Sequence, residues 1–312
     1  MGTPEFAVPC LDILIKNNYN IVAVVTVPDK AAGRGQQIQQ SAVKKYALEH
    51  NLRILQPEKL KDEKFISELR ELKADLQIVV AFRMLPEIVW NMPPLGTYNL
   101  HASLLPKYRG AAPINWAIIN GETETGVTTF KLSHEIDTGN ILCSEKVKIS
   151  ATMNAGELHD LLMIKGAALI LKTVKAIEES ETTGKALDFI KQDDSGATHA
   201  PKIFKETCRI NWNLKTHEIY NLIRGLSPYP AAYTELKQEE VLYTIKIFSC
   251  EKTNQNNNST NGSLVTDNKT FLNVKCSDGY ISITELQLQG RKRMPVTDFL
   301  RGFNFKKESS FA

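Results

Sequence analysis

The fold this sequence predicts is an α/β domain built on a doubly wound, mostly parallel, Rossmann-like sheet, followed by a small C-terminal β-barrel. Three observations predict it. Residues 21–27 and 76–81 are short, nearly continuous apolar runs, as strands covered on both faces require. They alternate with helical periodicity through about residue 180. Beyond residue 230 the pattern changes to short alternating strands separated by turn residues.

Taken in order, Met1-Gly-Thr-Pro-Glu-Phe-Ala-Val-Pro leads directly into a helix with Leu11, Leu14 and Ile15 on one face. Residues 21–27 form a strand. Pro28-Asp-Lys-Ala-Ala-Gly-Arg-Gly-Gln-Gln follows as a mobile loop. Residues 41–50 form a helix capped by Ser41, and 62–72 a second helix with Phe65, Ile66, Leu69 and Leu72 at helical spacing. Residues 76–81 are a buried strand that Phe82-Arg83-Met84-Leu85 closes, with Pro86 opening the next helix. A central strand begins at Tyr98. A short helix over 113–120, strands over 126–132 and 141–149 joined by a turn at Asp137-Thr-Gly, and a long amphipathic helix over 155–179 complete the first domain.

The polar, irregular stretch that follows reads as a connection. The expected organisation is a catalytic domain at 1–180, a linker at 181–203 and a β-barrel domain at 204–312. In the last, a helix at 216–225 precedes strands at 232–236, 241–249, 263–266, 270–275 and 280–288, a pattern that suits the oligonucleotide-binding type of barrel. The Asn-rich residues 254–262 make a long hairpin tip.

Composition narrows the function. Of the 312 residues 42% are hydrophobic and 23% charged, which gives two ordinary globular domains enough apolar material for a core each. Charge is uneven: residues 1–200 hold 22 Lys+Arg against 24 Asp+Glu, whereas 201–312 hold 16 against 11. The basic excess therefore lies at the C-terminal end, which suits a polyanionic partner there or simply a solvated surface. Five scattered cysteines have neither metal-ligand nor redox spacing, and no His/Cys/Asp/Glu set has metal spacing, so no metal is expected. Scattered thiols, no bilayer-length apolar run and no basic-then-apolar leader fit a cytoplasmic protein, here taken as a monomer. There is no Gly-x-Gly-x-x-Gly after a strand and no Walker-type Gly-Lys-Ser/Thr, which argues against nicotinamide dinucleotides and nucleoside triphosphates.

The stretch richest in chemistry is residues 98–110, Tyr-Asn-Leu-His-Ala-Ser-Leu-Leu-Pro-Lys-Tyr-Arg-Gly. On a strand, Asn99 and His101 leave the same face. An amide there can donate to a developing oxyanion, and an imidazole can carry a proton near neutral pH. Alone, the pair is equally consistent with two satisfied polar residues at a strand end. The strand end, the Pro-stopped turn and the helix opening at Gly110-Ala-Ala-Pro mark where an open parallel sheet keeps its site.

Asn-x-His-x-Ser-Leu-Leu-Pro-x-x-Arg-Gly-Ala-Ala-Pro-Ile, with Gly126-Val-Thr and Asp137-Thr-Gly further on, resembles the folate-dependent formyltransferases. The resemblance covers nearly the full length and extends to the members that act on tRNA. It implies transfer of the formyl group of 10-formyltetrahydrofolate to the amino group of methionine on initiator methionyl-tRNA. The alternative is the same chemistry on a small amine, an amino sugar or glycinamide ribonucleotide. A nucleic-acid-binding module with an inactive sheet domain is a third reading, which the intact Asn99, His101 and Asp137 oppose.

The chemistry matches those residue types. A free amine attacking a formyl group creates charge on the formyl oxygen and must lose a proton; an oxyanion donor, a proton carrier and an orienting carboxylate suffice. By resemblance, Asn99 and His101 polarise the formyl oxygen and Asp137 holds the imidazole. Ser103, Leu104, Leu105 and Pro106 line the folate, and Arg83, Met84 and Leu85 add backbone contacts to its pterin ring. The loop with Lys30 and Arg34 reaches the acceptor end of tRNA, although Gln36 and Gln37 stand where lysines are common, so phosphate contacts there are fewer. Arg291, Lys292 and Arg293 form a second electrostatic footprint. The family also places a strand ahead of Gly2-Thr-Pro in mid-sheet; its lack here points to a mis-set start or a trimmed chain rather than a natural protein without it, and if the lack is real a central sheet position is empty and the fold compromised.

Overall fold

The computed structural model describes every residue except 33–36, 240, 254–258, 307–308 and 312. In chain order its first elements are α1 (Val8–Lys16), β1 (Val24–Val25), β2 (Lys30–Ala32), β3 (Gln37–Gln39), α2 (Ala42–Glu49), β4 (Ile54–Leu55), α3 (Glu63–Glu71), β5 (Gln77–Val80), α4 (Glu87–Trp90), β6 (Thr97–His101), β7 (Arg109–Gly110), α5 (Pro113–Ile119), β8 (Glu124–Lys131), β9 (Ile141–Lys148) and α6 (Ala155–Thr183). Then come β10 (His199–Ala200), α7 (Thr216–Leu226), β11 (Ala232–Gln238), β12 (Val241–Thr253), β13 (Leu264–Thr266), β14 (Leu272–Lys275), β15 (Tyr280–Leu288), β16 (Met294–Pro295), α8 (Val296–Leu300) and β17 (Ser310–Phe311). They form two compact units: Met1–Gly110, Glu124–Lys148 and His159–His199 make the first, and Ala111–Thr123, Ile149–Leu158 and Ala200–Ala312 the second.

In the first unit the polar caps work as their residue types dictate. Ser41 accepts from Lys44 N at 3.0 Å to start α2, and Asp62 accepts from Phe65 N at 3.1 Å to start α3. α3 turns Phe65, Ile66 and Leu69 into a cluster with Val25, Leu55, Val79, Leu85 and Val89. The parallel character expected of the sheet holds for β1 with β4 and β5 with β6. Its far side is antiparallel, in the order β5-β6-β8-β9. The reason is the connection: β8 and β9 are joined by a turn rather than a crossover helix, and a short turn can only return antiparallel.

β1 and β5 do not pair; Met1 and Gly2 bridge them, with Gly2 N donating to Val25 O at 3.0 Å and Val80 N to Met1 O at 2.9 Å. Beside them is a cleft of about 820 Å³ lined by residues such as Leu14, Val24, Leu69, Ile78 and Val174. The neighbouring β5, β6, β8 and β9 remain one sheet.

The stretch expected as a linker at 181–203 is not a tether. α6 runs on to Thr183, and Ile190 exchanges both backbone hydrogen bonds with Ile141 of β9, at 2.8 and 2.9 Å. Most of its side chains are exposed, and the buried Gln192 is the exception within 181–199.

The second unit is a barrel-like sheet in the order β13-β14-β15-β12-β11-β17. An antiparallel bridge between Ser263 and Ser310, with Phe311 N donating to Gly262 O at 2.9 Å, brings the last strand back to the start of the first and nearly closes it. A bulge between Ile247 and Ser249 lets the long β12 bend. Ile219, Ile223, Leu236, Ile245, Ile247, Leu272, Ile283 and Leu286 fill the interior. Along β11 buried and less buried residues alternate, as the period of two along a strand requires.

Candidate active site

The site grows from the C-terminal end of β6. Asn99 and His101, two apart on one strand, share a face, while Tyr98 and Leu100 are buried on the other. Asn99 pairs in register with Val79 and Phe130. Its side-chain amide has no hydrogen bond to another described residue. His101 is buried, and its Nε2–H donates to Tyr108 O at 2.8 Å. That bond fixes the tautomer of the neutral ring and leaves Nδ1 as the basic nitrogen.

Asp137 lies in the turn between β8 and β9, at a left-handed φ of 56°. A side chain at Gly139 would place its Cβ 1.7 Å from Lys131 O, so glycine is required for the turn to close. The Asp137 carboxylate is itself mostly buried. Oδ2 accepts from Gly110 N at 2.9 Å and lies 3.7 Å from His101 Nδ1. A proton collected at Nδ1 would sit beside the carboxylate, where the resulting charge is compensated.

The sequence-derived folate residues are placed on two loops. Ser103 is fully buried; its Oγ donates to Lys107 O at 2.5 Å, and its carbonyl accepts from Thr128 Oγ1 at 2.7 Å. Leu104 packs its Cδ2 where a Cβ at Gly126 would be, 2.5 Å away. Leu105 turns into the core with Phe130 and Ile141, so its side chain is not free to line a ligand. Pro106 follows through a cis peptide bond. On the second loop Met84 is exposed and Leu85 is buried in the β5 core. The Arg83 guanidinium donates to Glu58 O at 2.8 Å and to Pro57 O, which ties down the loop that precedes α3.

Of the residues expected at tRNA, Lys30 is exposed on β2, and Arg34 lies outside the described residues. Arg291 and Lys292 are exposed. Arg293 is otherwise engaged: Nε donates to Glu285 Oε1 at 2.7 Å, Nη2 to the other carboxylate oxygen, and the guanidinium stacks 4.4 Å from the Phe248 ring centroid. A bidentate pair of this kind neutralises much of the charge offered to a phosphate.

The structure also brings in residues the sequence did not single out. Arg109 and Gln192 are both buried, and Gln192 joins the arginine to the Asp137 turn. For Arg109 a signal existed, since it sits inside the motif with no surface role. For Gln192, in a polar run between Lys191 and Asp193, there was none.

A deep imidazole–carboxylate pair at the end of a central strand, next to an amide with no partner among the described residues, is a site for moving a proton at a polarised carbonyl. The chain belongs to the formyl transferase family: the family's model "Formyl transferase" matches residues 1–174, and "Formyl transferase, C-terminal domain" matches 202–304. It is an enzyme of formyl transfer. Among its relatives, the methionyl-tRNA formyltransferase of Bacteroides fragilis is 56% identical over 308 residues, 97% of this chain and 94% of that one. That of Flavobacterium johnsoniae is 52% identical over 309 residues, 99% and 96% of the two chains. Among solved structures, the N-formyltransferase from Helicobacter canadensis, in complex with folinic acid and dTDP-3-aminofucose, shares the fold at a TM-score of 0.66 and 21% identity, covering 94% of this chain and 97% of that one.

Proposed function

We propose that this chain transfers the formyl group of 10-formyltetrahydrofolate to the free amino group of methionine on initiator methionyl-tRNA. The observation that carries the reading is the 56% identity to a methionyl-tRNA formyltransferase across 97% of the chain, which takes in both units. The bound folate supplies the formyl group. Asn99 donates its unpartnered amide to the formyl oxygen as charge develops there. His101 takes up the proton lost by the attacking amine at Nδ1, Asp137, held by the Gly110 N–H, compensates the imidazolium, and that proton passes to N10 of the donor as its bond to the formyl carbon breaks and tetrahydrofolate leaves. The loop through Ser103, Leu104 and Pro106 forms the donor's seat, with backbone groups of Arg83, Met84 and Leu85 at its edge.

Exposed Lys30 and the neighbouring Arg34 would meet the acceptor end of the tRNA, and Arg291 and Lys292 its backbone. Such contacts fall with added salt. The enzyme would work as a cytoplasmic monomer; no helix among the described residues is long and apolar enough to cross a membrane.

The test is formyl transfer by the full chain from 10-formyltetrahydrofolate to methionyl-tRNA, compared with a dTDP-amino sugar and glycinamide ribonucleotide. Efficient transfer to the tRNA alone is expected. Preference for either small amine would overturn the reading and leave the chemistry intact.

A further inference from the structure

The His101–Asp137 pair is not close enough to hold itself. At 3.7 Å, Nδ1 and Oδ2 lie beyond hydrogen-bond distance. Asp137 also sits on a turn in a left-handed conformation that a non-glycine residue adopts only when its surroundings impose it. The Gly110 N–H holds one carboxylate oxygen, and the turn that carries the carboxylate needs a hold of its own.

Gln192 meets the requirement. Its Nε2 donates to Asp137 O and to Gly139 O, both at 2.8 Å. Its Oε1 accepts from Arg109 Nε at 3.1 Å and Nη2 at 2.7 Å. Both amide donors and the carbonyl are thus satisfied inside the first unit, and the chemistry of the partners dictates which end of the amide faces which way. Arg109 Nη2 donates further to Asp194 Oδ1 at 2.8 Å. Ile190, two residues earlier, is pinned to Ile141, so Gln192 enters from an anchored strand rather than a loose loop.

The three consecutive residues Tyr108, Arg109 and Gly110 each hold one part of the pair. The Tyr108 carbonyl takes His101 Nε2–H, the Gly110 N–H takes the Asp137 carboxylate, and the Arg109 side chain holds the glutamine that grips the Asp137 turn. The ring and the carboxylate are therefore referred to the same short stretch of backbone.

We propose that Gln192, oriented by Arg109, is a positioning residue that sets the Asp137 carboxylate against His101. The proposal rests on the assignment of those two residues to the reacting centre. Gln192 touches neither substrate nor donor; it acts through the turn.

The test uses the full chain and four forms: wild type, Gln192→Met, Asp137→Ala and the double variant. Methionine keeps the volume and removes all four hydrogen bonds. A misplaced carboxylate should lower kcat roughly 10- to 100-fold, with KM for methionyl-tRNA and for 10-formyltetrahydrofolate little changed. In the Asp137→Ala background, where no carboxylate remains to position, Gln192→Met should cost less than about threefold more.

Equal losses in both backgrounds would mean a general structural role and overturn the proposal, as would unchanged kcat in the single variant. Should Gln192→Met fail to fold, Gln192→Asn keeps a buried amide and shortens its reach, and the same non-additivity is required of it. Full kcat in Asp137→Ala would remove the site reading and the proposal together. A loss there with none in Gln192→Met removes only the proposal.

Discussion

The two units bury different things. In the first, His101, Ser103, Arg109, Thr128 and Gln192 are buried polar residues gathered around the end of β6. In the second, the interior is aliphatic and aromatic, with Thr234 among few polar exceptions; it accepts from Trp212 Nε1 at 2.9 Å. The sheets differ too: that of the second unit nearly closes on itself, and that of the first mixes parallel and antiparallel pairs. Burying polar groups is unfavourable unless every one finds a partner, so a network of them is kept where chemistry uses it. Continuous apolar packing is kept where only stability is at stake. Substitutions should therefore separate turnover from stability according to the unit they fall in.

The sharpest separation is expected from His101→Ala, which should lower kcat by about 10²- to 10⁴-fold. Thermal unfolding measured on the same protein should shift little by comparison; a collapsed melting profile would make the histidine a structural residue instead. Leu286→Ala, fully buried in the barrel, should do the reverse and remove about 2–5 kcal/mol in denaturant titration while turnover per folded molecule holds.

Charge reversal at Arg291 and Lys292 should raise KM for tRNA several-fold in low salt and by less in high salt, measured across a salt series. Arg293→Glu should differ by also setting two carboxylates against each other at Glu285, seen as a lower melting temperature.

The smallest effect concerns Asp267 in the β13–β14 turn. Its carboxylate accepts from Thr270 Oγ1 at 2.6 Å and Thr270 N at 2.7 Å, and these bonds hold it well below its ordinary pKa of 3.8. A carboxyl depressed by folding stabilises above its unfolded value and loses that contribution as pH falls below it. Asp267→Asn should thus melt lower at neutral pH, with the gap closing below about pH 4 in melts recorded across the acid range.

Much of this was legible in the residues. Ser41 announced its helix by capping chemistry, Phe65, Ile66, Leu69 and Leu72 announced the next by their spacing, and the period-2 runs after residue 230 announced the barrel strands. That Asn99 and His101 share a face was legible because a spacing of two on a strand has local meaning; that Asp137 would lie beside His101, 36 positions earlier, came only from the family resemblance, since its turn alone says nothing of a partner. The hairpin that turns the far side of the sheet antiparallel was written in the same turn, but a mostly parallel pattern obscured it. Gln192 was not legible: its role comes from Ile190 pairing with Ile141, a contact 49 positions away that no local pattern encodes. Arg293 misled for the opposite reason, since a basic run shows charge but not the Glu285 that answers it.

Thr128, on β8, has a consequence of its own. Its hydroxyl donates to Ser103 O at 2.7 Å and accepts from Leu105 N at 3.3 Å, so the loop offered to the pteridine is fastened to the strand that ends in the Asp137 turn. Loading the donor should therefore quieten the acid–base machinery from a distance. Amide hydrogens around residues 137–139 should exchange more slowly with deuterium once folate is seated, before any acceptor arrives.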